Sequence, residues 1–556
     1  MRKQLWLHNL YSKSLQRSGL FYGFPSPDKL QKLYVKNISL QTTELQKFTG
    51  KGNELVNIVI ILSGDMERDL KSILSLDKVN LINTIYLVGE SSSILHLEKT
   101  AKISDFKIKI ENINLVGKKN SYSLLVIRSG DVLHLNAIAA FQHYSFKNNF
   151  QESVFYCDCD YLDAKGQRHK AEFYPDWNPD LQLSSGYIKT GLFVSGQNLV
   201  ENFINFINHI ELDGALSLWL ASLYLTDTDF KMVHLPFTLV HQNTVYSPDW
   251  FKCLQVLDFD RFTIKKGVEK SVVKLGWNKN VLPLISLIIP TKNAKSLVKT
   301  CIESILDNTT YVNYEILLID NNSDDPEAIA YFSYMGKHPK IRILSYPHSF
   351  NYSAINNFAA QHAKGDVIGL VNNDIEVVTP EWLTYMVGNV VRDDIGCVGA
   401  KLMYPDNRIQ HAGVIMGYGG GAGHAHKYFP RYHTGYLNRL VATHNFSVVT
   451  AACLLVKKSD YLAVGGLNEN DLAVAFNDVD FCLRVLQLGR RNLYCAEAIL
   501  YHHESVSRGL DDTHIKRERF EQELTYIQKK WSDYIAHDPA YNPNLTLKRE
   551  NFSIKE

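Results

Sequence analysis

Cysteine is scarce: eight in 556 residues, and no two stand as C-x-x-C. The nearest pair, Cys157 and Cys159, has no partner pair. Neither a disulfide framework nor a zinc ribbon is indicated, and the scatter suits reduced, cytosolic thiols. An excess of charge is also lacking: 59 Lys+Arg against 58 Asp+Glu leaves a formal +1, so nothing marks the chain as a nucleic-acid binder. Long apolar runs are missing too. A membrane span needs ~18 such residues, and the best run here, 448–456, is half that length. The basic start, M-R-K-Q-L-W-L-H-N-L-Y-S-K, is broken by His8 and Asn9 and reads as no secretory signal. No G-x-G-x-x-G follows the strand pattern ending at Ile289, which argues against a dinucleotide-dependent oxidoreductase.

What is present is a globular composition, 45% hydrophobic and 21% charged, at a length that suggests two to four domains. Residues 1–50 carry aromatics and basic residues without clear periodicity. A packed extension fits them better than a membrane-surface arm, since no basic amphipathic helix is visible. From residue 55, strand-like runs (56–62, 85–88, 124–127, 154–156, 232–240) alternate with helical patterns (66–76, 201–225), the signature of an α/β sheet. A charged stretch, 250–282, reads as a connection. The plan then restarts: runs at 284–289, 316–319, 341–344 and 367–371 alternate with helical patterns at 297–306 and 353–363. The rough repetition points to two copies of one fold. The glycine-rich stretch 417–423 is either a mobile loop over a site or a plain surface loop.

The second half is organised around G-L-V-N-N-D-I-E-V-V, residues 369–378. A buried strand there delivers one carboxylate, Asp374, flanked by the carboxamides Asn372 and Asn373, to the edge where open α/β sheets bind ligands. That set suits a hard divalent cation shared with substrate phosphates; a strand-to-turn junction would also favour Asn and Asp. Asp320 and Asp478 likewise follow apolar runs or open a helix. Asp478 is either functional or a helix cap. The cluster Tyr501-His502-His503-Glu504-Ser505-Val506-Ser507-Arg508-Gly509 suits metal or phosphate contact.

Several segments in order carry a resemblance: P-L-I-S-L-I-I-P-T-K-N-A, Y-E-I-L-L-I-D-N-N-S-D-D-P-E-A, F-N-Y-S-A-I-N-N, V-N-N-D-I-E-V, Q-H-A-G-V, T-A-A-C-L-L-V, G-G-L-N-E, A-V-A-F-N-D-V-D-F-C-L-R and Y-H-H-E-S-V-S-R-G. Residues 283–545 resemble a family-2 glycosyltransferase, in particular bacterial enzymes that build O-antigen, capsule or rhamnan chains. The resemblance implies an α/β fold of two tandem GT-A-like modules with mostly parallel central sheets. It also implies an inverting transfer from a nucleotide-diphosphate sugar, with Mg2+ or Mn2+ as cofactor. Pro290, Thr291, Asn293, Asp320, Asn322, Asn372, Asn373 and Arg508 would bind the nucleotide sugar. Asp374 and His503 would hold the metal, and Asp478 would be the general base. The partners would be the donor and a lipid-linked or growing glycan, with no nucleic acid. The place would be the cytoplasm, in peripheral contact with the inner membrane and other assembly proteins.

The first half resembles the same group more weakly, through Y-C-D-C-D-Y-L-D-A-K-G-Q-R and F-Y-P-D-W-N-P-D-L-Q-L-S-S-G-Y-I. Its expected catalytic positions have drifted: the first strand ends at Ser63, the second at Glu90, the metal turn keeps only Asp131, and the acidic pair is reduced to Asp213. The module reads as degenerate. The expected boundaries are an extension 1–52, a degenerate module 53–250, a linker 251–282, a catalytic domain 283–545 and a tail 546–556. A glycan-binding scaffold without turnover is the alternative.

Overall fold

The computed structural model describes residues 26–48, 54–103, 109–113, 123–148, 152–209, 214–226, 228–257, 260–277, 280, 282–503 and 514–556. Asp213, Glu504 and Arg508, singled out above, lie outside them.

Helix α1 (Pro27–Leu45) starts where Ser26 accepts a hydrogen bond from the Lys29 N–H, with proline in the first turn, a favourable N-terminal combination. Next comes a sheet of β1 (Val56–Ile61), β2 (Ile82–Val88), β3 (Lys109–Asn112), β4 (Ser123–Arg128), β5 (Asp131–Leu133), β6 (Ser153–Leu162), β7 (Arg168–Glu172), β8 (Leu192–Ser195) and β9 (Lys231–Gln242). Helix α2 (Pro179–Ser185) lies between β7 and β8. All six residues of β1 are buried and all but Asn57 are apolar, since a strand covered on both faces must be apolar nearly throughout. The helical pattern at 201–225 resolves into two helices, Gln197–Ile207 and Ala215–Leu225, the second entered from Gly214 at φ 75°. A Cβ on Gly214 would come within 2.7 Å of the Cys253 sulfur, so the close approach requires glycine there.

The segment expected as a plain connection is folded. Helix α3 (Trp250–Leu254) leads into a hairpin of β10 (Phe262–Lys266) and β11 (Val273–Trp277). Trp250, Phe262 and Trp277 are buried together. Of the lysines that gave the stretch its linker-like composition, Lys265, Lys266 and Lys270 are exposed and Lys274 is half-buried.

The second sheet contains β12 (Ile285–Thr291), β13 (Tyr314–Asp320), β14 (Ile341–Ser345), β15 (Val367–Val371), β16 (Ile375–Val377), β17 (Ile395–Met403) and β18 (Ile409–His411). After a small hairpin of β19 (Val414–Met416) and β20 (Ala422–His424) come β21 (His444–Asn445), β22 (Cys453–Lys457) and β23 (Arg491–His502). Helices α4 (Tyr352–His362), α5 (Asn477–Leu486) and α6 (His514–Lys530) bear on the site. The glycine-rich stretch is the turn of the β19–β20 hairpin, pinned by the Gly417 N–H to Gly421 and by Gln528 to Gly420.

The two sheets share one topology. The first runs 3-2-1-4-8-6-9-5 with β7 beside β6; the second runs 14-13-12-15-22-17-23-16 with β18 beside β17. Each pairing matches its counterpart in sense, parallel or antiparallel. The chain is an α/β protein of two tandem modules.

The modules are joined by buried charge. Asp180 on α2 meets Arg392 at 2.6 Å and Arg491 at 2.7 Å, both from the second module. Arg392 also lies over the Trp277 ring, 4.2 Å from its centroid. The stretch 546–556, expected as a tail, packs inward: Phe552 stacks on His426, centroids 4.3 Å apart, and the Glu550 carbonyl accepts the His426 N–H at 2.9 Å. One aromatic anchor in an otherwise Lys- and Glu-rich stretch was too weak a signal to read.

Candidate functional site

A cavity of about 1080 Å³ opens at the carboxyl ends of β12, β13 and β15. Each apolar strand ends there in a polar turn, so backbone geometry alone gathers side chains from distant parts of the sequence at one sheet edge. Pro290, Thr291, Asn322, Asn372, Asn373, Asp374 and Asp478 all line it.

Asp374 is buried, and its Oδ1 accepts no hydrogen bond. The nearest cationic candidate, His502 Nε2, stands 3.1 Å away without hydrogen-bond geometry. The His502 ring is held from behind by Nδ1, 2.7 Å from Gln410 Oε1, while Asn372 Nδ2 approaches its Nε2 at 3.3 Å. Nε2 therefore carries the lone pair, which Asn372 Nδ2 approaches, and it lies beside the unpartnered carboxylate oxygen. A buried anion without a donor is costly; a carboxylate oxygen and an imidazole lone pair together suit a divalent cation. Among the described residues no group of three or more His, Cys, Asp or Glu stands together as a metal cage.

His503, the expected second ligand, points elsewhere. Its N–H bonds the Asp374 carbonyl at 2.9 Å, and its ring meets Glu376 at 2.8 Å. Ile375 pairs with His502 across β16–β23. Consecutive strand residues face opposite ways, so only one of the adjacent histidines can face the cavity, and it is His502.

Asp478 opens α5 just after Phe476, which has φ 57°. Its Oδ2 accepts the Ala451 N–H at 3.1 Å and its Oδ1 the Val479 N–H at 2.9 Å. Burial pushes its pKa up, and these hydrogen bonds only partly oppose that. The result is a carboxylate more basic than a free one. The neighbouring Asp480 is fully committed: it meets Arg484 at 2.7 Å, Lys530 at 2.9 Å and Trp531 Nε1 at 3.0 Å. Tyr352 stands between the two acidic positions, its hydroxyl 3.3 Å from Asn372 Oδ1 and 3.2 Å from the Ala451 carbonyl.

Two expected contacts, Asn293 and Asp320, are not among the lining residues. Asn293, at φ 53°, accepts the N–H of Asp324 at 2.9 Å and of Asp325 at 3.0 Å. Asp320 accepts the Ser323 N–H at 3.0 Å. Both shape the turn that presents Asn321 and Asn322. The sequence reading passed over Tyr352, His424 and Gln410 and named His502 only within the 501–509 cluster; Tyr352, Gln410 and His502 sit inside quoted segments (F-N-Y-S, Q-H-A-G-V, Y-H-H-E), and only strand alternation separates His502 from His503.

The equivalent edge of the first module is filled. Asp131 accepts from Thr190 and from the Arg128 N–H at 3.2 Å, with the Arg128 guanidinium 3.7 Å away. Asp160 is bound by Arg168 and His241, each at 2.6 Å, and by Tyr34 of α1.

Against known families, the profile described as glycosyl transferase family 2 matches residues 286–461. An uncharacterised protein of Sinorhizobium fredii, y4gI, is 38% identical over 420 residues, covering 72% of this chain and 46% of that protein. The O-antigen biosynthesis protein RfbC of Myxococcus xanthus is 32% identical over 422 residues, covering 71% of this chain and 32% of that protein. The chain thus spans less than half the length of these relatives. A mannosyltransferase of Pyrobaculum calidifontis, solved with GDP-Man and Mn2+, aligns at a TM-score of 0.34 and 15% identity, covering 46% of this chain and 66% of that one, a likeness too loose to bear on any residue.

Proposed function

Residues 286–461 belong to glycosyl transferase family 2, and from that premise we propose that the chain transfers a sugar, with inversion, from a nucleotide-diphosphate donor to a hydroxyl of a growing bacterial surface polysaccharide. The observation that carries this is one cavity holding two differently prepared carboxylates. Asp374 has a buried, unpartnered oxygen 3.1 Å from an imidazole nitrogen of His502. Asp478 is kept basic by burial.

In this reading Asp478 takes the proton of the acceptor hydroxyl as its oxygen attacks the anomeric carbon, a role worth ~10²–10⁴-fold. The bond from the anomeric carbon to the phosphate oxygen breaks, and the diphosphate leaves with the electron pair. Asp374 and His502 would hold Mg2+ or Mn2+, which when bound offsets the charge on the leaving phosphate. Thr291, Asn322, Asn372 and Asn373 present hydrogen-bonding groups to the donor. Asn293 and Asp320 act through the turn they shape. Arg508 keeps the phosphate-binding role that the resemblance implies.

The first module is read as a degenerate GT-A-like copy that braces the second. No described helix is long and apolar enough to cross a membrane; contact with a lipid-linked acceptor would then be made at the cytoplasmic face of the inner membrane, beside other assembly proteins.

The test is a thermal-shift and turnover screen against nucleotide-diphosphate sugars with Mn2+, Mg2+ or EDTA, since a bound ligand raises the midpoint by mass action. One donor should stabilise the wild type only with metal, and Asp374→Ala should abolish that shift while keeping the unliganded midpoint. Wild-type donor affinity in Asp374→Ala would refute the metal role. Donor binding without any turnover would favour the glycan-binding scaffold.

A further inference from the structure

A second cavity, of about 510 Å³, within the size range of small-ligand sites, adjoins the one that holds Asp374 and Asp478. The same elements wall both. On α4, Tyr352 and Ile355 line the first cavity, and Asn357, Ala360 and Gln361 line the second. On the first turn of α5, Asp478 lines the first and Asp480 the second. Residues two apart on a helix lie about 200° apart around its axis, so the two cavities flank that turn. In the loop before it, Leu467 to Asn470 line the second cavity and Val474 to Phe476 the first. The loop is pinned: the Ser353 hydroxyl donates to the Leu472 carbonyl at 2.6 Å, and Glu523 accepts the Val474 N–H at 2.8 Å.

The charges of the second cavity cancel within its own walls. Asp480 lies between Arg484, at 2.7 Å, and Lys530, at 2.9 Å, and Glu469 accepts from Asn357 at 2.8 Å. Two cations against two carboxylates leave no net charge. A phosphate would meet cations already held by Asp480, and the repulsion of Glu469; a metal ion would meet the repulsion of Arg484 and Lys530. A neutral ligand rich in hydroxyls is the class that fits. The walls offer it hydrogen-bonding groups: Gln361 and Asn470 are exposed, and Arg484 keeps one buried nitrogen, Nη2, without a partner. An unpaired buried donor is costly, and a hydroxyl oxygen offsets that cost. Gly465, at φ 77°, has open space where a Cβ would stand, so a ligand can approach the backbone there. Leu462, on the helix Lys458–Ala463 and 55% exposed, adds an apolar patch for the C–H face of a sugar ring.

Building on the sugar-transfer reading, we propose that this cavity is a remote acceptor subsite, which holds a neutral, non-reacting sugar unit of the growing glycan while the end of that glycan lies at Asp478. The span is one helix width, roughly 10 Å, which a few linked sugar units bridge along the loop 467–476. Holding one chain at two places makes the second contact intramolecular, so a long acceptor binds more tightly than a short one.

Binding measurements separate this subsite from the reading beneath it. The wild type is screened on a microarray of bacterial O-antigen and capsule fragments. The fragment that binds tightest and its shorter homologues are then titrated by calorimetry, beside UDP, GDP and dTDP in Mn2+. Wild-type affinity should rise with fragment length. Leu462→Trp, which fills the cavity from an exposed position, and Gln361→Ala, which removes an exposed amide, should each weaken the long fragment about tenfold, the cost of one or two hydrogen bonds. Nucleotide affinity should stay unchanged in both. In turnover the loss should fall on the acceptor KM and spare kcat, as lost uniform binding does. The proposal is overturned if no fragment binds the wild type, if affinity does not rise with length, or if both variants bind the long fragment as the wild type does. If Leu462→Trp fails to fold, Gln361→Ala decides alone. A wild type that binds glycan but none of the three nucleotides would sink the nucleotide-sugar reading itself, and the acceptor role with it.

Discussion

Replacing Asp180 with alanine should loosen the two modules from each other. The carboxylate is 2% exposed and meets two guanidiniums, Arg392 at 2.6 Å and Arg491 at 2.7 Å. Removing one partner of a buried ion pair costs about 3–5 kcal/mol, because the remaining charge stays buried and uncompensated. Here Asp394 still contacts both guanidiniums, so the low end, about 3 kcal/mol, is expected. For a unit of 150–250 residues that is a drop of roughly 6–12 °C in thermal midpoint. Asp394→Ala is the internal control. Its side chain is 44% exposed, and solvent screening should limit its loss to about 1 kcal/mol or less. The pH dependence adds a check of sign. Burial alone would raise the Asp180 pKa, but Arg392 and Arg491 outweigh it and leave a net depression. A depressed carboxylate contributes stability above its unfolded value near ~4 and loses it as pH falls toward the folded one. The gap between wild type and Asp180→Ala, measured by urea unfolding, should thus be full at pH 7 and shrink below about pH 4. A loss under about 1 kcal/mol at pH 7, or a gap that widens in acid, would refute the reasoning.

Other outcomes follow from single groups. His234 is buried, which pushes its pKa down, yet Asp158 and Asp176 outweigh that and hold it at about 9; its stabilisation, on the order of 2–3 kcal/mol, should be complete below pH ~6.5 and lost as pH rises through 9. His234→Gln should flatten that slope in a urea-midpoint series. Asp478→Asn should keep nucleotide affinity and lower turnover about 10²-fold, whereas Asp480→Asn should lower the thermal midpoint, because the buried Asp480 carboxylate holds Arg484 and Lys530. Asp158→Ala should destabilise the fold by a few kcal/mol and expose residues 538–556 to limited proteolysis, because His234, Asn542 and the Tyr174 N–H all converge on that carboxylate; unchanged proteolysis would count against it.

The central strands were legible in the sequence because a parallel strand buried on both faces must be a continuous apolar run. β15 is such a run, and β1 and β12 nearly are, interrupted by Asn57 and by Ser286. The doubling of the plan was legible for the same reason. What escaped was contact between distant segments. Tyr34 reaches Asp160, and Asn542 reaches Asp158 across 384 residues; no local period announces either. At the site, six polar residues expected to line the cavity (Thr291, Asn322, Asn372, Asn373, Asp374, Asp478) do so. The confusion of His503 with His502 is a failure of register: in a strand one residue's shift reverses the face, and Y-H-H gives no apolar alternation to fix it.

The shared topology also shows how the first module changed. Asp131 stands three positions past the end of β4, Arg128, as Asp374 stands three positions past the end of β15, Val371. Val132 pairs with His241 as Ile375 pairs with His502. Asp131 and His241 therefore occupy the positions of Asp374 and His502. Their surroundings differ in charge. Where the second module has Val371, the first has Arg128, whose guanidinium approaches Asp131 at 3.7 Å, donates to Gln242 at 2.8 Å and stacks over Tyr246 at 3.9 Å. The chain itself supplies the counter-charge that a divalent ion would bring. His241 has its Nδ1 on Asp160, which is shared in turn with Arg168 and Tyr34. Tyr34 belongs to α1, whose Gln41 also accepts the Thr238 N–H at 2.8 Å, so the helix covers the edge that the second module leaves open. An acid and an imidazole survive, but each is satisfied internally. Binding a cation there would first require breaking buried ion pairs at several kcal/mol each, which is why the bracing role proposed for this module fits its geometry better than a second transfer.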